Sequence, residues 1–393
     1  RSYSLGFYPW ELASRQELEQ FFDFHRDMYR WSRWRDSLGR PAFQLPIVYA
    51  TDAEEVTALD AITLADYVYG KGWDSPLLHH FLDNRMTDEY GCLADEISAY
   101  AGILYWAFEA GEEKAPPGAS QQAPVISWPE GNSHLVRGLA RTLPRGAVRT
   151  DAWVVSLRNH ADEVHAMVLD PRGTTRTFRG RQCIFAAPKL RAELLIPELE
   201  EAGRREHRLL EYSPWLVANL LLSECPEHDA QALAWDNLIY RSWSLGFING
   251  QHFRTPGKDS DRPFLLTFYA CFSGSMREPA RRDLLELDWD SWARLIAGEL
   301  ERPLPDVRKR IERMDIRRWG HAMVRPAPGL IWGGTREALG RPLGNIHFAG
   351  NDAGILPLYE EAVYQGVSAA EAVLTRLGRP FRSLIEPEHE RLD

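Results

Sequence analysis

The chain has 393 residues, 44% of them hydrophobic and 26% charged, with a formal net charge of −10. That length buries a large core and fits two domains or one large discontinuous one, and the ordinary composition excludes a disordered chain. The acidic balance excludes a phosphate-backbone partner, so no nucleic acid is expected, and the basic runs Arg204-Arg205 and Arg308-Lys309-Arg310 read as solvated helix faces.

The four cysteines, Cys92, Cys183, Cys225 and Cys271, are scattered, with no C-x-x-C pair and no histidine at metal-ligand spacing. His79-His80 are adjacent and point to different helix faces. No metal is therefore expected, nor a disulfide scaffold, and a reducing, cytoplasmic compartment fits. No apolar run approaches the ~20 residues of a membrane-spanning helix, so no integral membrane segment is expected. The 14 Trp supply an aromatic core or walls for a planar ligand.

Residues 11–38 carry Leu18, Phe21, Phe22, Met28, Trp31 and Trp34 at helical spacing and predict a helix. Thr63 with Asp66 has the form of a capping box, and Ser75-Pro76 sets Ser at an N-cap and Pro at the first helical position. Residues 98–110 predict an apolar helix, and residues 112–124, with three prolines, an exposed loop at a boundary. Asn132 or Ser133 caps a predicted helix to Leu143. Short β-rich runs at 148–157, 164–169, 174–178 and 183–187 form a β-meander with a return strand, turned by Asp170-Pro171-Arg172-Gly173, and Cys183 is a predicted buried thiol. Helical residues 189–210 lead to predicted strands at 215–222, 238–249 and 264–272, then a helix at 284–300. A short buried strand at 346–349 precedes a helix at 357–377, with Ala362, Gly366, Ala369 and Ala370 on one face.

The last two elements carry the chemistry. Ile346-His347-Phe348-Ala349-Gly350-Asn351-Asp352 is a strand, a glycine turn and an acid, followed from Pro357-Leu358-Tyr359-Glu360-Glu361 by a helix start. Gly350 lets backbone approach a ligand closely, Asp352 suits a sugar or ribityl hydroxyl, and the helix start aims N–H groups and a positive dipole end at what precedes it. Such an end suits an electron-rich ring that gains negative charge on reduction.

This stretch resembles the C-terminal flavin motif of the FAD-dependent amine oxidase and phytoene desaturase superfamily: strand, Ala-Gly, a short acidic segment, then Glu-x-Ala-x-x-x-Gly-x-x-Ala-Ala. Glu360 or Glu361, Ala362, Gly366, Ala369 and Ala370 supply the helical part. Two further stretches resemble the family in order and spacing. One runs from Ser127-Trp128-Pro129-Glu130-Gly131 through Val148 to Leu157 and ends on Cys183-Ile184-Phe185-Ala186-Ala187-Pro188. The other is Arg318-Trp319-Gly320-His321-Ala322-Met323-Val324-Arg325-Pro326. The resemblance spans residues 128–377.

It implies a mixed α/β, two-domain flavoprotein. The FAD-binding domain, with its β-meander, is expected at 125–210 and 320–393, with a remnant at 1–9 where relatives pass near the flavin. The substrate domain is expected to be helical at 10–124 and a mixed sheet at 211–319. Implied cofactor-binding residues are Val154 (backbone on the adenine), Ala187, Pro188, Gly350, Asn351, Asp352, Pro357, Leu358, Tyr359 and Glu360. No Cys or His sits where tethering relatives have one, so non-covalent FAD is implied. Two departures accompany the resemblance. The family's opening Rossmann βαβ, an NAD(P)-binding-like unit with Gly-x-Gly-x-x-Gly, has no counterpart, so the expectation is a truncated relative lacking it. The lysine that holds a water near the flavin in several relatives is missing from strand 215–222.

The implied activity is hydride transfer from a C–N or C–C bond of a small organic substrate to flavin N5, with an electron acceptor and oligomeric state that the sequence does not identify. The alternative is a non-catalytic or truncated relative that keeps the fold without productive FAD binding. No Gly-x-Ser-x-Gly elbow supports a hydrolase, and no P-loop supports a nucleotidase. Tyr359, Trp319, His321, Trp332 and Trp243 are the expected catalytic-pocket wall, since flavin dehydrogenation needs a dry, oriented substrate more than acid–base groups.

Overall fold

A computed structural model describes residues 2–3, 13–111, 128, 130–226, 233–250 and 263–385. The expected loop at 112–124, residues 4–9 of the expected remnant, and Ser127 and Pro129 of the second motif lie outside the described residues.

Eleven strands are described: β1 (Ser2–Tyr3), β2 (Trp153–Asn159), β3 (Val164–Leu169), β4 (Thr175–Gly180), β5 (Cys183–Phe185), β6 (Tyr212–Leu222), β7 (Asp236–Ile239), β8 (Gly246–Asn249), β9 (Phe264–Cys271), β10 (Ile311–Val324) and β11 (Ile346–Phe348). They form an antiparallel six-stranded sheet ordered β1-β7-β8-β9-β6-β10, a β2-β3-β4 meander, and a parallel pair β11-β5.

The period-2 pattern of β6 decides which face of the large sheet is buried. Leu216, Ala218, Leu220 and Leu222 are fully buried with Phe247, Leu266 and Phe268 against the helices Arg277–Glu286 and Trp289–Leu300. Each such Leu or Phe contributes about 1.5–3 kcal/mol on burial. Trp215, Val217 and Asn219 alternate with them and look out from the other face.

A second core gathers the helices Arg15–Arg33, Leu64–Gly70, Pro76–Tyr90 and Ala99–Gly111. Ser14 and Glu17 form a capping box that starts the first of these later than predicted, and Trp34 in extended conformation ends it sooner. The Thr63–Asp66 capping box and the Ser75-Pro76 start are present as expected. A third core, under β5 and β11, includes Leu157, Phe185, Ile346 and Phe348.

Several boundaries differ from the sequence pattern for local reasons. Asp151 has φ 54 and delays β2 to Trp153. Residues 189–210 break into four short turns, punctuated by Pro197 and by Gly203 at φ 68. The predicted strand 238–249 is two antiparallel strands, β7 and β8; Gly246 has φ 114, and a Cβ there would meet the Asn237 carbonyl oxygen at 2.0 Å. Cys183 is half-buried rather than buried. Arg204 is not solvated: its guanidinium donates to the carbonyls of Arg341 (2.6 Å) and Ala338 (2.5 Å). β10 continues to Val324 with a register shift between Trp319 and Met323, beside the expected division at 319–320, and Ser2–Tyr3 pairs with β7.

Candidate functional site

The site begins where the two parallel strands end. β5 and β11 run side by side, and the Ala349 amide donates to the Phe185 carbonyl at 3.0 Å. The chain then leaves β5 through exposed Ala186, Ala187 and Pro188, and leaves β11 through Gly350, Asn351 and Asp352. The C-terminal ends of parallel strands are where ligands of open α/β sheets bind. Gly350 has φ 103 and ψ 160, a backbone conformation available only to glycine.

Asp352 is buried, and its Oδ2 accepts from the Lys189 amide at 2.7 Å and the Tyr212 hydroxyl at 2.6 Å. Its Oδ1 accepts no hydrogen bond among the described residues. Burial, with Asp352 beside it, holds the Tyr212 phenol well above its ordinary range. Lys189 is buried; its Nζ donates to the Ala349 carbonyl at 2.6 Å and lies 5.6 Å from the ring centres of Phe185 and Phe348. Sequence reasoning missed both Lys189 and Tyr212.

The helix Tyr359–Arg376 follows, reached through Pro357 and capped by extended Leu358 with no side-chain hydrogen bond to its first turn. Tyr359 and Glu360 open it. Glu361 turns inward and is fully buried: Oε1 accepts from the Ile47 amide at 2.5 Å, and Oε2 has no hydrogen-bond partner among the described residues. Burial pushes this carboxyl above its ordinary value of 4.5. A raised folded pKa means that stability is greatest below the unfolded value and is lost as pH rises through the folded one. Glu361→Gln keeps the acceptor for Ile47 and cannot ionise. It is therefore expected to stabilise the fold by on the order of 1 kcal/mol at pH 8 and to change little at pH 4, measured by urea denaturation.

The other expected residues fall in different places. His321 lies with its ring 6.2 Å from that of Tyr212, its pKa lowered by burial and then by Arg281 and Arg191. Trp319 pairs in register with Trp215 and stands, exposed, on the outward face of the large sheet. Trp243 packs on Phe268 and Phe272, on the helix-covered side. Trp332 stacks edge-on against Tyr100 in the helical core, under Arg336. Val154 is on β2 beside a bulge; the far end of that strand is tied to the start of β11, where the Asn345 amide donates to Asn159 Oδ1 at 2.7 Å. The structure thus gathers Ala187, Pro188, Gly350, Asn351 and Asp352 at one edge, with Tyr212 and His321 beside them, and leaves Trp243 and Trp332 elsewhere.

The outward sheet face adds residues the sequence did not single out. Trp215 and Tyr269 lie nearly parallel, 6.4 Å between centres. The Tyr269 hydroxyl donates to Asp236 at 3.0 Å. Burial, with Asp88 nearby, pushes the Asp236 carboxyl up to about 6, and burial also raises that of Asp88. The row Trp319–Trp215–Tyr269 thus leads from an open aromatic surface to the carboxylate of Asp236 and, beyond it, to that of Asp88, which pairs with Arg85 at 3.3 Å. Its only sequence signal is the alternation of β6.

The sequence profile of the flavin-containing amine oxidoreductases matches residues 10–374. The chain belongs to that family, so a flavin is the cofactor it implies. No curated protein is a significant match. Among solved structures, cyclohexylamine oxidase from Brevibacterium oxydans has a TM-score of 0.64 at 16% identity, over 94% of this chain and 76% of that one. A putrescine oxidase variant with redesigned cofactor binding has a TM-score of 0.65 at 14% identity, over 93% of this chain and 77% of that one. Wild-type putrescine oxidase bound to putrescine has a TM-score of 0.63 at 14% identity, with the same coverage of 93% and 77%. These likenesses show the mixed α/β amine-oxidase fold.

The residues present fit part of FAD. Gly350, the unengaged Asp352 Oδ1 and the uncapped start of Tyr359–Arg376 suit the ribityl chain and the pyrimidine edge of the ring. For the pyrophosphate, the sequence holds no Gly-x-Gly-x-x-Gly turn. Among the described residues no cluster could hold a metal, and no helix is long and apolar enough to cross a membrane.

Proposed function

We propose that this protein binds FAD without a covalent link and oxidises the C–N bond of a small amine. The Gly350–Asp352 turn at the ends of β5 and β11 carries this reading. The flavin, when bound, supplies the two-electron acceptor for the hydride leaving the substrate carbon. The protein's own residues bind, orient and dry the substrate. Trp319, Trp215 and Tyr269 offer flat apolar surface, Tyr359 stands at the flavin-facing helix start, and Asp236 attracts an ammonium group, the neighbouring Asp88 being paired with Arg85 at 3.3 Å. In this reading His321, whose pKa burial lowers, accepts the proton that the amine nitrogen releases as the imine forms.

The Asp236 carboxylate favours an amine over the desaturase-type C–C substrate, and a substrate with a second cationic group, as in putrescine, over a mono-amine such as cyclohexylamine. Asp236→Asn is expected to raise KM for putrescine about tenfold or more with little change in kcat. The sign of the pH dependence follows from the raised carboxyl: putrescine KM falls as pH rises through about 6 and Asp236 ionises. A flat KM profile for the wild type would refute the assignment.

The test of the reaction is anaerobic mixing of the FAD-loaded protein with putrescine and with cyclohexylamine. Loss of flavin absorbance supports amine oxidation, and admitting oxygen then shows whether oxygen is the electron acceptor. Bound flavin that no amine reduces supports the non-catalytic alternative.

A further inference from the structure

The cofactor turn is fastened by one residue from another part of the chain. Lys189 follows β5 directly, and it holds both ends of the turn after β11. Its backbone amide donates to Asp352 Oδ2, and its side-chain Nζ donates to the Ala349 carbonyl at 2.6 Å. Between these two points lies Gly350, whose φ of 103 no other residue adopts without strain. The ammonium is buried, faces Phe185 and Phe348, and has a single hydrogen bond among the described residues. A buried cation is costly unless it is engaged, so its retention here needs a structural reason. The reason is visible in Asp352. With Oδ2 fixed by Lys189 and Tyr212, Oδ1 accepts no hydrogen bond among the described residues.

Resting on the flavin reading above, we propose that Lys189 is a positioning residue for the cofactor: its ammonium locks the Ala349–Asp352 turn so that Gly350 and Asp352 Oδ1 are preset for the flavin's ribityl chain, without touching the flavin itself. The lock depends on charge, because an ammonium–carbonyl hydrogen bond is stronger than that of a neutral amine. Burial lowers the Lys189 pKa to about 8, with Asp352 opposing the shift. The other charged or titratable groups on packed elements are Tyr212 on β6, Arg204 across Phe348, and the His207–Glu193 pair on the neighbouring turns. Of all these, Asp352 is the one that acts on the Lys189 charge. Flavin affinity should therefore be lost as pH rises through about 8.

The experiment measures FAD affinity by fluorescence titration from pH 6 to pH 9.5 for the wild type, Lys189→Met and Lys189→Arg. Amide hydrogen exchange of residues 349–354 is measured alongside in the flavin-free proteins. Lys189→Met fills the same space without charge. It is expected to bind FAD about ten- to a hundredfold more weakly at pH 7, the scale of one lost charge-assisted hydrogen bond, and with no loss above pH 8. Its 349–354 amides should exchange faster, and Lys189→Arg should recover part of the affinity. Lys189→Met affinity within threefold of wild type, or unchanged exchange at 349–354, overturns the proposal. Should Lys189→Met not fold, a wild-type affinity that is flat across pH 8 overturns it instead. A wild type that binds no FAD at any pH defeats the flavin reading, and the exchange comparison still decides the role of Lys189.

Discussion

Asp352→Ala is expected to lose most bound flavin and about 2–5 kcal/mol of stability. Two buried donors, the Lys189 amide and the Tyr212 hydroxyl, lose their shared acceptor, and each unsatisfied buried donor costs about 1–3 kcal/mol. The two effects can be separated. Asp352→Asn keeps a carbonyl oxygen that can face Lys189 and Tyr212, so its stability should lie much closer to the wild type. If its amide nitrogen then occupies the Oδ1 position, a flavin hydroxyl meets a donor where it had an acceptor. The expected result by urea denaturation and flavin retention is therefore a stable but flavin-poor Asp352→Asn and an unstable, flavin-poor Asp352→Ala. Full flavin retention in both variants would place the cofactor elsewhere.

Arg325→Ala is expected to cost about 1.5–3 kcal/mol, the scale of losing charge-assisted hydrogen bonds whose carboxylate partners keep solvent and Arg277. Arg325 is almost fully buried at the end of β10. It pairs with Glu96, beside the helix Ala99–Gly111, at 2.6 Å, and with Glu211, at the start of β6. The Arg325 amide also donates to the Glu211 carbonyl at 2.9 Å. These contacts join the helical core to the sheet. Arg277 pairs with the same two carboxylates, at 3.7 and 2.9 Å, and the like-charged groups make the network depend on both arginines. Equilibrium urea unfolding at pH 7 checks the value, and a loss under 1 kcal/mol would mean that Arg277 alone carries the junction.

The turn at Gly350 was legible in the sequence because its parts are local: a short apolar strand, a glycine, an acid and a helix start within one stretch. The helix starts at Thr63 and Ser75 were legible for the same reason. What holds the turn was not. Lys189 lies 163 residues from Asp352 and Tyr212 lies 140, and no local pattern marks either. The sheet order β1-β7-β8-β9-β6-β10 is likewise made by long-range pairing. It brings Trp319, Trp215 and Tyr269 onto one face and puts Trp243 on the other, a division that a list of conspicuous tryptophans does not contain. The β7–β8 hairpin reads as one strand because Leu238-Ile239 and Phe247-Ile248 are apolar on both sides of the turn, and the backbone geometry at Gly246 shows the break.

A crystal structure of the protein with FAD tests the central claim most directly. The account predicts a ribityl hydroxyl within hydrogen-bonding distance of Asp352 Oδ1, the ring's pyrimidine edge at the first turn of Tyr359–Arg376, and the open face of the ring toward the Trp215–Trp319 side of the sheet. FAD bound away from the Gly350 turn, or crystals grown with saturating FAD that hold none, would contradict it.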